Sequence, residues 1–73
     1  MRVSIRVKSH LNPRLWQEWF AGLHITPEPE GTSLLTGPLP DQAALFGVLG
    51  RIHSLNLRLL WLAVEEEPVE PGT

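Results

Sequence analysis

The chain has 73 residues, no cysteine, and a formal net charge of −2. A typical domain runs to roughly 100 to 150 residues, so there is room for one domain and not two. Without cysteine there are no disulfide frameworks, thiolate metal clusters or thiol nucleophiles.

Residues 2–8, Arg-Val-Ser-Ile-Arg-Val-Lys, alternate strictly, with Val3, Ile5 and Val7 on one face and Ser4, Arg6 and Lys8 on the other. That pattern predicts a half-buried strand. After the break at Ser9 to Pro13, Asn12 suits a helix N-cap and Pro13 the first helical position, where its missing N–H is not needed. Leu15, Trp16, Trp19 and Phe20 then form an apolar stripe on a helix of about two turns that Gly22 can end. So short a helix is not stable alone in water, and its aromatic rings are expected in the core. Leu23 and Ile25 alternate with His24 and Thr26 as a second strand. Glu28-Pro29-Glu30-Gly31 supplies a turn, and Thr32 to Thr36 a third strand paired with the second as a hairpin.

Gly37-Pro38-Leu39-Pro40 closes that strand, and Asp41 caps a second helix running to about residue 55. Leu45, Val48, Leu49, Ile52 and Leu55 mark its buried face, at roughly 1.5 to 3 kcal/mol for each side chain fully buried. Asn56 can take the left-handed conformation at the helix end. Leu57 to Val64 follows as a nearly continuous apolar fourth strand. Residues 65–73 are expected to form a flexible acidic, proline-containing tail, leaving 1–64 as the single domain. The tail conceals an asymmetry of charge, because residues 1–64 hold six basic side chains against four acidic ones. That surplus is too small to signal nucleic acid.

The order strand, helix, strand, strand, helix, strand is the split βαβ pattern. It predicts an α+β, ferredoxin-like βαββαβ fold, with a four-stranded antiparallel sheet of usual order 4-1-3-2 and two helices on one face. On that reading Leu59, Trp61 and Ala63 turn toward the helices, while Leu60, Leu62 and Val64 lie on the open face with Arg6, Lys8 and His24. A fourth strand apolar on both faces and placed at a sheet edge invites pairing. Ordering the chain costs about 1.5 kcal/mol per residue, which so small a core barely offsets. A homodimer formed by the sheet faces or the fourth-strand edges is therefore expected, with Leu60, Leu62 and Val64 at the interface. The alternative is a local patch covered by the C-terminal tail.

The segment from Leu35 to Leu49, Leu-Thr-Gly-Pro-Leu-Pro-Asp-Gln-Ala-Ala-Leu-Phe-Gly-Val-Leu, resembles a family of short bacterial proteins of uncharacterised function. Those carry LTGPxxDQAALxGLL, a basic residue, and a DLGL turn into a closing strand. Their start is similar to Arg6-Val7-Lys8-Ser9-His10-Leu11. The likeness covers most of residues 5–64, is most specific at Asp41 to Leu45, and implies no activity. This chain departs from it at Ser9 and Asn56, where Gly is usual, at Phe46, where His is common, and at Ser54, where Asp is usual.

The chemistry is sparse. His10, His24 and His53 lack the i, i+4 or paired spacings that preorganise a metal or proton-transfer site. Asp41-Gln42 at the mouth of the second helix reads as a cap and not as an anion site. No Walker loop, nucleophile elbow, carboxylate pair or other catalytic signature is present, and no catalytic residue, metal ligand or cofactor is assigned. Arg6, Lys8 and His24 on the open sheet face are the candidate binding residues. The expected function is a non-enzymatic binding or regulatory module acting as a homodimer, with a protein or small ligand as further occupants of the same surface. A small enzyme with its pocket at the dimer interface, or an accessory subunit, is the alternative. No run of roughly 18 to 20 apolar residues would cross a membrane, and a cytoplasmic protein is expected.

Overall fold

The alternation in β1 (Arg2–Val7) sends Val3, Ile5 and Val7 to one side, where each is almost wholly buried, and leaves Arg2, Ser4 and Arg6 on the other. The computed structural model describes residues 1–20 and 22–65. After β1 come a single-turn helix α1 (Pro13–Trp16), a 3₁₀ turn (Gln17–Phe20), β2 (His24–Pro27), β3 (Ser33–Pro38), α2 (Gln42–Ser54) and β4 (Leu59–Glu65). The four strands form one antiparallel sheet in the order β2-β3-β1-β4. The fold is thus α+β, and one cluster joins Val3, Ile5, Val7, Ile25 and Leu35 of the sheet to Phe20 and to Leu45, Val48 and Ile52 of α2. Leu49 and Leu55 are partly buried at its rim. Glu65, the first residue of the expected tail, belongs to β4, and residues 66–73 lie outside the described residues.

The helix ends form as their residues dictate. Asn12 Oδ1 accepts from the Arg14 N–H at 3.0 Å, and Asp41 Oδ1 accepts from the Ala44 N–H at 2.8 Å, each satisfying a backbone donor that has no partner within its helix. At the far end of α2, Asn56 sits at φ 57°, and the Leu57 N–H returns to Ile52 O at 3.0 Å. Strand β3 runs two residues past its expected end, through Gly37 and Pro38. Gly37 is required there, because its φ is +155° and a Cβ would lie 2.7 Å from Gly22 O.

Two expectations are corrected. The stripe Leu15, Trp16, Trp19, Phe20 does not enter the core as a unit. Phe20 is buried and Trp16 is partly buried, but Leu15 is 70% exposed and Trp19 49%. The physical reason is the change from an α to a 3₁₀ turn at Gln17. The segment is therefore not one unbroken α-helix, and no single stripe at 3.6-residue spacing runs through all four positions.

The second correction concerns β4. Arg6 stands opposite Trp61 but Val7 stands opposite Leu59, so Leu60 is the extra residue of a β-bulge. Beyond it the alternation is inverted relative to the sequence expectation. Leu62 pairs with Ile5 and Val64 with Val3, so both turn to the helix side, whereas Trp61 and Ala63 share the open face with Arg6 and Ser4. Leu59 is on the helix side and Leu60 on the open side, as expected.

A buried polar link missed by the sequence reading ties the first loop to the sheet. Ser33 is fully buried. Its hydroxyl donates to Ser9 O at 2.7 Å and accepts from the Leu11 N–H at 2.8 Å, holding Leu11 in the core. Truncation of Phe20 to Ala is expected to cost about 3–5 kcal/mol and Trp19→Ala less than about 1 kcal/mol, measured by urea unfolding.

Candidate functional site

The open face of the sheet is built in rows. Thr26 of β2, Leu34 of β3, Arg6 of β1 and Trp61 of β4 form one row, and His24, Thr36, Ser4 and Ala63 form the next. Directly opposite residues in antiparallel strands project to the same side, so each row is a line of neighbouring side chains.

Arg6 has two partners on this face. Its Nε donates to Glu28 Oε1 at 2.9 Å and its Nη2 to Glu28 Oε2 at 3.1 Å, a two-point ion pair across the face to the β2–β3 turn. Thr32 Oγ1 donates to the same Glu28 Oε1 at 2.9 Å. On its other side the guanidinium carbon lies 5.6 Å from the ring centroid of Trp61, within cation–π range. The hydrogen bond from Arg6, with a smaller contribution from Thr32, holds the Glu28 carboxyl below its ordinary 4.5. The same hydrogen bond and the charge of Glu28 hold the Arg6 guanidinium above its ordinary value. A carboxylate and an indole already occupy this cation, so it is not available as a bare anion-binding charge.

The other two candidates do not join it. Lys8 lies past the end of β1, with its backbone N–H bonded to Arg58 O. His24 is two strands away and two residues along the sheet from Arg6. With about 4.8 Å between strands and about 3.3 Å per residue, the Cα atoms of His24 and Lys8 are about 16 Å apart and those of His24 and Arg6 about 12 Å. The three candidate binding residues therefore stand apart on the sheet, with Arg6 bound to Glu28. Among the described residues no group of three or more His, Asp or Glu side chains could hold a metal ion.

What the surface does present is apolar. Leu59, Leu60, Trp61 and Val64 of β4 are exposed, and Leu60 lines a hollow together with Arg6 and Glu28. Of the three expected interface residues, Leu60 and Val64 are exposed on opposite faces of β4, and Leu62 is partly buried against the core. A second hollow, of about 340 Å³, lies between the 3₁₀ turn and α2, where Trp19 and Phe20 face Gly47 and Val48. Its rim is fixed by Arg51 Nη1, which donates to Trp19 O at 2.7 Å.

A family model described only as a domain of unknown function (DUF8691) matches residues 2–63. No curated protein and no solved structure matches the chain.

Because the folded Glu28 carboxyl titrates below its unfolded value, its contribution to stability is present above the unfolded pKa and lost as pH falls through the folded one. Glu28→Gln is therefore expected to lower the melting temperature at pH 7. The difference from the parent should narrow once pH falls below the ordinary carboxylate range and close only below the depressed folded value, where both carry a neutral side chain at this position. Thermal melts across that pH range check it.

Proposed function

The chain belongs to the DUF8691 family of unknown function, and we propose that it is a non-enzymatic interaction module of ferredoxin-like fold that works in the cytoplasm as a homodimer. Two helices beside a four-stranded antiparallel sheet support the fold reading, as does the order β2-β3-β1-β4, which is 4-1-3-2 counted from the other edge. No helix among the described residues is long and apolar enough to cross a membrane.

The observation that carries the functional reading is the exposure of Leu59, Leu60, Trp61 and Val64 on an edge strand. Single exposed apolar residues need no explanation, but four in one six-residue stretch, two on each face of an unpaired sheet edge, flank that edge with apolar side chains. The core explains why such a surface is useful. Among the described residues twelve buried apolar side chains make up the core, and a domain of this size buries only about 60% of the surface its unfolded chain exposes. Association adds apolar burial that the monomer lacks, and couples stability to protomer concentration.

The open face supports a binding role over a catalytic one. Its most polarised group, the Arg6–Glu28 pair, is internally neutralised, and His24 stands apart from it. Such a face suits recognition of another surface by shape and apolar contact.

Sedimentation velocity of the intact chain at high micromolar concentration is expected to give the mass of a dimer, and a monomer there would contradict the proposal. Leu60→Lys, which places a charge on the exposed edge, is expected to weaken self-association tenfold or more while leaving the circular dichroism spectrum unchanged.

A further inference from the structure

Strand β4 forms one edge of the sheet and β2 the other, and the two are not equivalent. Strand β2 has four residues and ends in Pro27, features that blunt an edge against pairing. Strand β4 has seven, and its stretch Leu59–Val64 contains no charge, proline or glycine. Charges appear only where the stretch ends, with Arg58 before it and Glu65 after it, both exposed. Among the described residues the one ion pair is Arg6–Glu28, so neither of these end charges is paired with another described residue.

The hydrogen-bonding phase of β4 follows from its neighbour. In an antiparallel ladder successive residues turn their backbone N–H and C=O groups alternately to one side and the other. The Lys8 N–H donates to Arg58 O at 2.8 Å, so Arg58 turns toward β1 and Leu59 away from it. The bulge spends Leu60 and Trp61 together on Arg6. Leu62 then turns away, Ala63 toward β1, Val64 away and Glu65 toward it. The free edge presents the backbone donors and acceptors of Leu59, Leu62 and Val64.

We propose that a second copy of this chain covers that edge, pairing its own β4 antiparallel to this one about a two-fold axis at Leu62. The two sheets then become one of eight strands. This rests on the self-association reading above and names the surface that performs it. In this register Leu62 faces the partner's Leu62, and Trp61 faces the partner's Ala63. Across the bulge, Leu59 faces the partner's Val64, and Arg58 faces the partner's Glu65. Each edge-facing residue meets an edge-facing residue, and the bulges sit symmetrically on either side of the axis.

Charge selects both the occupant and the direction. Antiparallel self-pairing sets opposite charges against each other at both ends of an uncharged stretch, whereas a parallel arrangement would set Arg58 against the partner's Arg58 and Glu65 against the partner's Glu65. The exposed side chains of Leu59, Trp61 and Val64 gain apolar cross-strand neighbours in the same step.

The test is a charge exchange read by sedimentation equilibrium at low salt. Arg58→Glu and Glu65→Arg each replace two attractive contacts per dimer by two repulsive ones, and each is expected to raise the dimer Kd about tenfold. The double variant Arg58→Glu/Glu65→Arg restores opposite charges and is expected within about threefold of the parent. Both positions are exposed and lie at the strand ends, so the fold should tolerate every variant. A parent dimer that neither single reversal weakens overturns the β4 pairing and leaves self-association standing. Weakened single variants with no rescue in the double variant also overturn it, because the two residues then do not face each other. A parent chain that is monomeric at high micromolar concentration overturns this pairing and the self-association reading together.

Discussion

Every other element takes its phase from β1. It pairs with β3 on one side and β4 on the other, so its period of two is imposed on both neighbours through the ladder. Val3, Ile5 and Val7 are buried to within 2% of completely, and a shift of one residue would turn all three to solvent. That constraint places Leu35 and Gly37 of β3 inside, and with them Ser33, the buried polar residue that holds the Ser9–Leu11 loop. It also brings Leu62 and Val64 to the helix side, where a count along β4 alone would not put them. The bulge at Leu60 reconciles a strand entering from Asn56 with a register already fixed by β1.

The same constraint shapes the surface. Arg6 must project to the open face, and there it lies between the Glu28 carboxylate and the Trp61 indole. A cation so placed serves packing and orientation, linking the β2–β3 turn to β4 across the sheet. The stabilisation from such an exposed pair is small, but its two-point geometry fixes where the turn and the indole sit. The Arg6 charge is engaged in this way, and the β4 edge, an outer strand with exposed apolar side chains, is left with unsatisfied requirements. Smallness makes those requirements useful, because a small core gains from sharing a sheet.

Much of this was legible from the residues. The six-element order, the inward set of β1, the caps at Asn12 and Asp41, and the left-handed Asn56 follow from local chemistry that tertiary packing did not override. The face assignment in β4 was not legible, for a definite reason. In Leu-Leu-Trp-Leu-Ala-Val every residue is apolar, so no alternation marks a bulge or fixes a phase. The aromatic stripe failed differently, since the tightening at Gln17 depends on how the segment packs and carries no signature of its own. The Arg6–Glu28 pair spans 22 positions and was hidden for the ordinary reason that sequence distance does not report contact. One available signal was passed over: with Ser33 set beside Leu35, β3 alternates a small polar residue with apolar ones on its buried face. Such a residue must find partners.

The β4 pairing makes a demand on individual backbone groups that only a partner strand can meet. Hydrogen exchange of the Leu62 amide, followed by NMR across protein concentration, tests it most directly, because that N–H faces away from β1. Protection that rises with concentration, in step with the formation of dimer, is the expected result. Exchange at Leu62 that stays fast and independent of concentration while the chain is dimeric would contradict pairing through this edge.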